Sequence, residues 1–97
     1  MNNQPLSRVL KDPDSTLDYG VDWSEWIEKT ANGDTISAVT WIVPPGLTKV
    51  SNFNSGTLAV VYLSGGTLKK VYAVTCRITT TNGRTEDYSF ELQIADK

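Results

Sequence analysis

The sequence predicts an all-β fold, an antiparallel β-sandwich preceded by an extended N-terminal arm. Three observations carry that reading. Residues 70–80 and 84–94 each alternate apolar with polar side chains, the period of a strand with one wet face. The Asn82-Gly83 pair between them suits the positive φ angles of a tight hairpin turn. Upstream, β-branched and aromatic runs recur at roughly ten-residue spacing, with no convincing helix among them.

Residues 1–20 read as the arm and residues 21–97 as the domain. Asn2, Asn3, Gln4, Pro5, Lys11, Asp12, Pro13, Asp14 and Ser15 offer little to bury, and two prolines forbid a continuous helix. Leu6, Val9 and Leu10 are the exceptions, able to anchor the arm on its own domain or on a neighbour. Ordering an isolated arm costs about 1–2 kcal/mol per residue, so it should order only where something receives it. On this reading, removing it leaves the domain folded.

From Asp22 the texture changes. Trp23, Trp26 and Ile27 fit one face of a helical turn, but the segment is too short to stand alone, and a turn follows at Ala31-Asn32-Gly33-Asp34. Thr35 to Val43 reads as a strand stopped by Pro44-Pro45-Gly46. Its inward set shifts from Ile36 and Ala38 to Val39, Trp41 and Val43, which predicts a bulge or a strand that changes sheets. Residues 47–54 and 57–63 form the next two strands, joined at Asn54-Ser55-Gly56. In the last hairpin, Tyr72, Val74, Cys76 and Ile78 face inward, as do Tyr88, Phe90, Leu92 and Ile94. Leu63-Ser64-Gly65-Gly66-Thr67-Leu68 followed by Tyr72 resembles the turn entering the penultimate strand of an immunoglobulin-like fold, where a tyrosine ties back onto upstream backbone. Val74 then stands where such domains carry their second cysteine, and Cys76 reads as a small buried hydrophobe.

Composition narrows the function. The chain has 97 residues, 39% apolar and 21% charged, enough for one domain with a small core. Nine basic and eleven acidic residues give a net charge of −2 and a pI near 4.9. No basic field draws nucleic acid or an anionic membrane, and Lys69, Lys70, Arg77 and Arg84 have no aromatics interleaved among them. Without histidine, and with Cys76 alone, the usual zinc sites, disulfides and histidine-activated nucleophiles are excluded. No apolar run approaches the ~18 residues of a membrane span, and Met1 to Pro5 does not read as a signal peptide. The expectation is a non-enzyme with no catalytic residues, no cofactor and no metal.

Charge is unevenly placed. Residues 1–28 hold six carboxylates against Arg8 and Lys11, while residues 29–97 hold seven basic residues against five acidic ones. The acidic quarter is either a solvated segment or one that lies against a neighbouring copy or a basic partner. Its carboxylates suggest calcium, but their spacing departs from a helix-loop-helix calcium loop. A glycosidase pair would need an aromatic cleft that nothing downstream supplies. The remaining alternative is that Asp and Pro simply shape turns. Trp23 and Trp41 suit the core, whereas Trp26, if exposed, suits an interface or a sugar ring.

Several blocks together resemble a known family. Lys11-Asp12-Pro13-Asp14, then Leu17-Asp18-Tyr19, then Asp22-Trp23-Ser24 with Trp26-Ile27 are similar to the opening signature of small fiber–tail adaptor proteins of tailed phages and prophages. Leu63 to Thr67, Tyr72 to Thr80 and Gly83-Arg84-Thr85 resemble the rest of that family, with Ile27 standing where a leucine is expected. The resemblance implies a structural virion protein with an immunoglobulin-like domain. It would sit at the tail or neck in several copies arranged as a ring, joining a tail fiber to tail or neck proteins. It implies no nucleic-acid or membrane partner, and synthesis in the host cytoplasm, where a lack of disulfides is at home. Asp12, Pro13, Asp14, Leu17, Asp18 and Tyr19 would make the partner contacts, with Trp23 and Trp26 fixing the arm to the domain. Two further readings are a carbohydrate-binding immunoglobulin-like module for host attachment and a head–tail joining or neck accessory protein.

Overall fold

In the computed structural model, which describes residues 7–30 and 32–96, the order of elements follows from where apolar alternation begins and stops. It runs β1 (Ser7–Lys11), β2 (Thr16–Asp22), α1 (Ser24–Thr30), β3 (Ile36–Ile42), β4 (Leu47–Ser55), β5 (Leu58–Gly65), β6 (Val71–Thr80) and β7 (Thr85–Ile94). One sheet has the order β1-β7-β6-β3 and the other β2-β5-β4, and together they form the expected sandwich. The final hairpin keeps its predicted phase, with Tyr72, Val74, Cys76, Ile78, Phe90, Leu92 and Ile94 all buried and Tyr88 half-buried against them. The bulge expected in β3 falls between Ile36 and Ala38, where the Ser37 hydroxyl donates to the Thr79 carbonyl at 3.0 Å.

The first correction concerns the arm. Residues 7–11 and 16–22 are strands of the two sheets, so the expected boundary after residue 20 divides nothing. β1 lies parallel to β7, with Ser7 opposite Phe90 and Lys11 opposite Ile94, in a sandwich otherwise paired antiparallel. β2 pairs with β5, placing Tyr19 opposite Val61 and Val21 opposite Ala59. The physical reason is legible once the carboxylates are ignored. Leu17, Tyr19 and Val21 alternate with Asp18, Gly20 and Asp22, so the acidic residues occupy the outward phase of a strand. The parts of the arm before Ser7 fall outside the described residues. The second correction is α1, a seven-residue helix at Trp23-Trp26-Ile27, which holds because Trp23 and Ile27 bury against the sheets.

Lys11 shows what the arm does instead. It is fully buried, although sequence placed it among residues with little to bury. Its Nζ donates to the carbonyls of Asp12 (2.9 Å) and Gly65 (2.7 Å), tying the end of β1 to the end of β5 in the opposite sheet. Burial lowers the ammonium's pKa, and the Asp12 and Asp14 carboxylates act against that shift. Around the same end, Tyr72 Oη accepts from the Thr67 backbone N–H at 3.0 Å, the tie-back expected of an immunoglobulin-like corner. The ring leaves no room above Gly46, where a Cβ would approach to 2.8 Å on a backbone with φ of 103°.

Asp34 organises the other end. Its carboxylate accepts from the backbone N–H of Thr35 and of Asn82 and from Arg84 Nη1 at 3.0 Å, bracing the β6–β7 turn against the loop before β3. The Thr80 hydroxyl and these donors hold its pKa below the ordinary carboxylate range, against the opposing effect of burial. A carboxyl depressed in this way contributes stability above the ordinary range and loses it as pH falls through its own lowered value.

Two outcomes follow. Lys11→Met keeps the stem but strips the donor from two carbonyls, and urea unfolding should show a loss of about 1–3 kcal/mol; an unchanged midpoint would contradict the tie. Asp34→Asn should be less stable than the native chain at neutral pH. That gap should shrink as both are titrated into acid, and a constant gap would show that the carboxylate's charge is not what matters.

Candidate functional site

The residues singled out by sequence cluster along β2, the turn before it and the helix after it. Asp12-Pro13-Asp14-Ser15 carries the chain from one sheet to the other. Asp12 accepts the Asp14 N–H on its side chain (2.8 Å), and its carbonyl accepts from the Ser15 N–H and hydroxyl. The acids here therefore shape a turn, and proline at the second position presets its φ. Among the described residues no group of three or more His, Cys, Asp or Glu is placed to hold a metal ion.

Along β2 the side chains separate by phase. Tyr19 turns inward to stack on Phe90 at 5.8 Å, where burial, with help from Asp18, raises its phenol pKa. Leu17 lies on the same phase but stays 39% exposed at the sandwich end. Asp18 and Asp22 face out. Asp22 accepts from the Ser24 N–H (2.9 Å) and the Thr57 hydroxyl (3.2 Å), satisfying one of the open N–H groups that begin α1.

The tryptophans divide as their positions suggested. Trp23 and Trp41 are core residues at 2% and 6% exposure, and Trp41 meets Phe90 edge-on at 6.4 Å. Trp26 is half-buried, edge-on to Trp23 at 5.7 Å, on the wall of an open groove of about 640 Å³. Glu25, Lys29, Asp22, Glu86 and Tyr88 also line that groove. With Trp23 wholly consumed by the core, Trp26 provides little of the flat aromatic platform a sugar ring needs. Cys76 is fully buried, and its thiol is pushed up to about 11 mainly by that burial. It is the inert hydrophobe that sequence suggested.

Of the basic residues, Arg77 is bound internally, bidentate to Asp87 at 2.8 and 2.9 Å, and Arg84 is held by Asp34. Each already has a carboxylate partner within the chain. Sequence reading missed a different feature. On the outer face of β2-β5-β4, Phe53 (50% exposed), Leu58 and Tyr62 surround Val60, which is buried although it lies outside the core cluster. The signal was present in the run Leu58-Ala-Val-Val-Tyr-Leu63. It is apolar on both phases, while a sandwich can bury only Ala59, Val61 and Leu63.

These residues sit on a β-sandwich with an exposed apolar outer face, and comparison with known proteins gives its family. The family described as "Podophage GP4 fiber-tail adaptor protein gp77" matches residues 11–93. The chain belongs to that podophage fiber-tail adaptor family. The match starts at Lys11, the buried tie, and takes in every residue singled out from Asp12 to Trp26. No curated protein sequence matches the chain. Among solved structures, it is similar to the solution structure of the PKD domain from the KIAA 1837 protein. That likeness has a TM-score of 0.52 at 15% identity over 99% of this chain and 85% of that one, which speaks to the immunoglobulin-like sandwich alone.

The two neighbouring tryptophans should behave differently when truncated. Trp23→Ala should lose about 3–5 kcal/mol in denaturant unfolding, whereas Trp26→Ala should lose less than half as much. Equal losses would place Trp26 in the core and remove it as a contact residue.

Proposed function

We propose that this member of the adaptor family is a structural virion protein that joins a tail fiber to the tail or neck through repeated protein–protein contacts. The observation that carries the reading is the family match across residues 11–93, which takes in the Asp12-Pro13-Asp14 turn, β2 and α1. Several copies sit in a ring, so that individually weak contacts add by avidity. The contact surface comprises the Asp12-Pro13-Asp14 turn, Leu17 and Asp18, with Trp26 at its margin. Tyr19 and Trp23 act from beneath by fixing β2 and α1 in place. The protein is made in the host cytoplasm and functions in the virion without cofactor, nucleic acid or membrane.

Particles assembled without this protein should retain head and tail but carry no fibers, as seen by electron microscopy. Labelled copies should appear only where fibers meet the tail. Fibers attached in its absence, or label confined to the head–tail joint, would overturn the adaptor role.

A further inference from the structure

The two outer faces of the sandwich differ: one sets cross-strand polar pairs among the exposed Leu10, Ile42 and Val71, and the other groups its apolar side chains at its centre. On the β1-β7-β6-β3 face, Arg8 pairs with Glu91 (2.7 Å), Arg77 with Asp87, and the hydroxyls of Thr75 and Ser89 bond at 2.8 Å. On the other face the cross-strand rows read Asp18-Tyr62-Ser51, Gly20-Val60-Phe53 and Asp22-Leu58-Ser55. Gly20 leaves the middle row low on the β2 side, where a Cβ would meet Leu58 and Val60 side chains at 3.5 and 3.7 Å. The result is an apolar shelf bordered along β2 by two carboxylates. An exposed apolar face of this kind marks an interaction site.

The chain carries a turn of complementary chemistry elsewhere. Between β5 and β6, Leu68 (41% exposed) and Val71 (43%) bracket the exposed Lys69 and Lys70. Lys69 holds a φ of 72°, which is uncommon without glycine and persists only where surroundings enforce it. Here Lys69 N–H donates to the Ile94 carbonyl (2.8 Å), and Ile94 N–H donates to the Lys70 carbonyl (2.9 Å). The turn is therefore set before any partner arrives, which lowers the entropic cost of binding. Among the described residues Lys69 and Lys70 have no carboxylate within ion-pair distance, and Asp18 has no cation. Arg8, Arg77 and Arg84 are all engaged internally. Lys49, which among the described residues also has no ion pair, lies on β4 at the opposite edge of the sheet from Asp18 and Asp22.

We propose that the Leu68–Val71 turn of one copy docks on the Leu58-Val60-Tyr62-Phe53 shelf of a second copy, with Lys69 and Lys70 facing Asp18 and Asp22. Turn and shelf are different surfaces, so the contact is heterologous. It propagates until geometry closes it, and a ring is its closed form. This deepens the proposed function, because it names the surfaces through which neighbouring copies touch.

The test is sedimentation of the full chain at rising concentration and low ionic strength, on the native chain, two variants and their mixture, with the folding of each protein confirmed by circular dichroism. The native chain should pass beyond monomer in a salt-sensitive way. Asp18→Lys alone, and Lys69→Glu with Lys70→Glu alone, should each associate about tenfold or more weakly, equivalent to about 1.4 kcal/mol. An equimolar mixture of the two variants should regain association, because each then presents charges complementary to the other. A native chain that stays monomeric to about millimolar concentration overturns the inference. So does association that neither variant weakens, or a mixture that does not recover. Fiber attachment is read separately, on particles carrying Lys69→Glu with Lys70→Glu, which lie outside the contact surface proposed above; fibers that stay attached there leave the adaptor role standing whatever sedimentation shows.

Discussion

Lys11 places an ammonium where the two sheets meet, and the path of the chain through the first third of the molecule depends on its two bonds. A buried ammonium is stable only if its protons find acceptors, and the Asp12 and Gly65 carbonyls are those acceptors. Meeting them brings the end of β1 to the end of β5 and commits the intervening turn to cross between sheets. β1 then covers one end of β7, β2 covers β5, and the inward phase of β2 places Tyr19 on Phe90 and Val21 in the core. What sequence suggested was a detachable arm is in this way an edge strand of each sheet.

Much of the fold was legible. The last hairpin, the bulge in β3 and the tyrosine corner at Tyr72 were each set by local signals: strict alternation, a shift of phase, a glycine-rich turn at fixed offset. The arm was misread because two prolines and a dense set of carboxylates masked a period-two pattern from Leu17 to Asp22. Lysine is also rarely buried, so Lys11 gave no sign of its role. Asp34 was equally silent, since its partners are forty-six to fifty residues away or supplied by neighbouring backbone. The helix at Trp23 had the right spacing, but its stability comes from packing that no seven-residue window contains.

The candidate site was legible as a region rather than as a surface. Residues 12–26 do lie together along β2 and α1, but the structure divides them between a turn, a buried layer and an outer face. The shelf around Val60 came from a strand, β5, whose apolar residues outnumber the inner positions a sandwich offers. For a scaffold protein this excess is informative: side chains that the fold cannot use internally are the ones left for assembly. The opposite face carries ion pairs each worth about 0–1 kcal/mol across its strands, with Leu10, Ile42 and Val71 exposed among them.

The single thiol has a practical bearing. Cys76 lies at 0% exposure with its pKa pushed up to about 11, so in the folded chain it is neither reachable nor ionised at neutral pH. The native protein is therefore a blank background for cysteine chemistry. A cysteine introduced on the shelf or on the lysine turn would be the sole reactive sulfur, and crosslinks or spectroscopic probes placed there would report one surface at a time. Labelling of Cys76 itself would count only molecules that have opened.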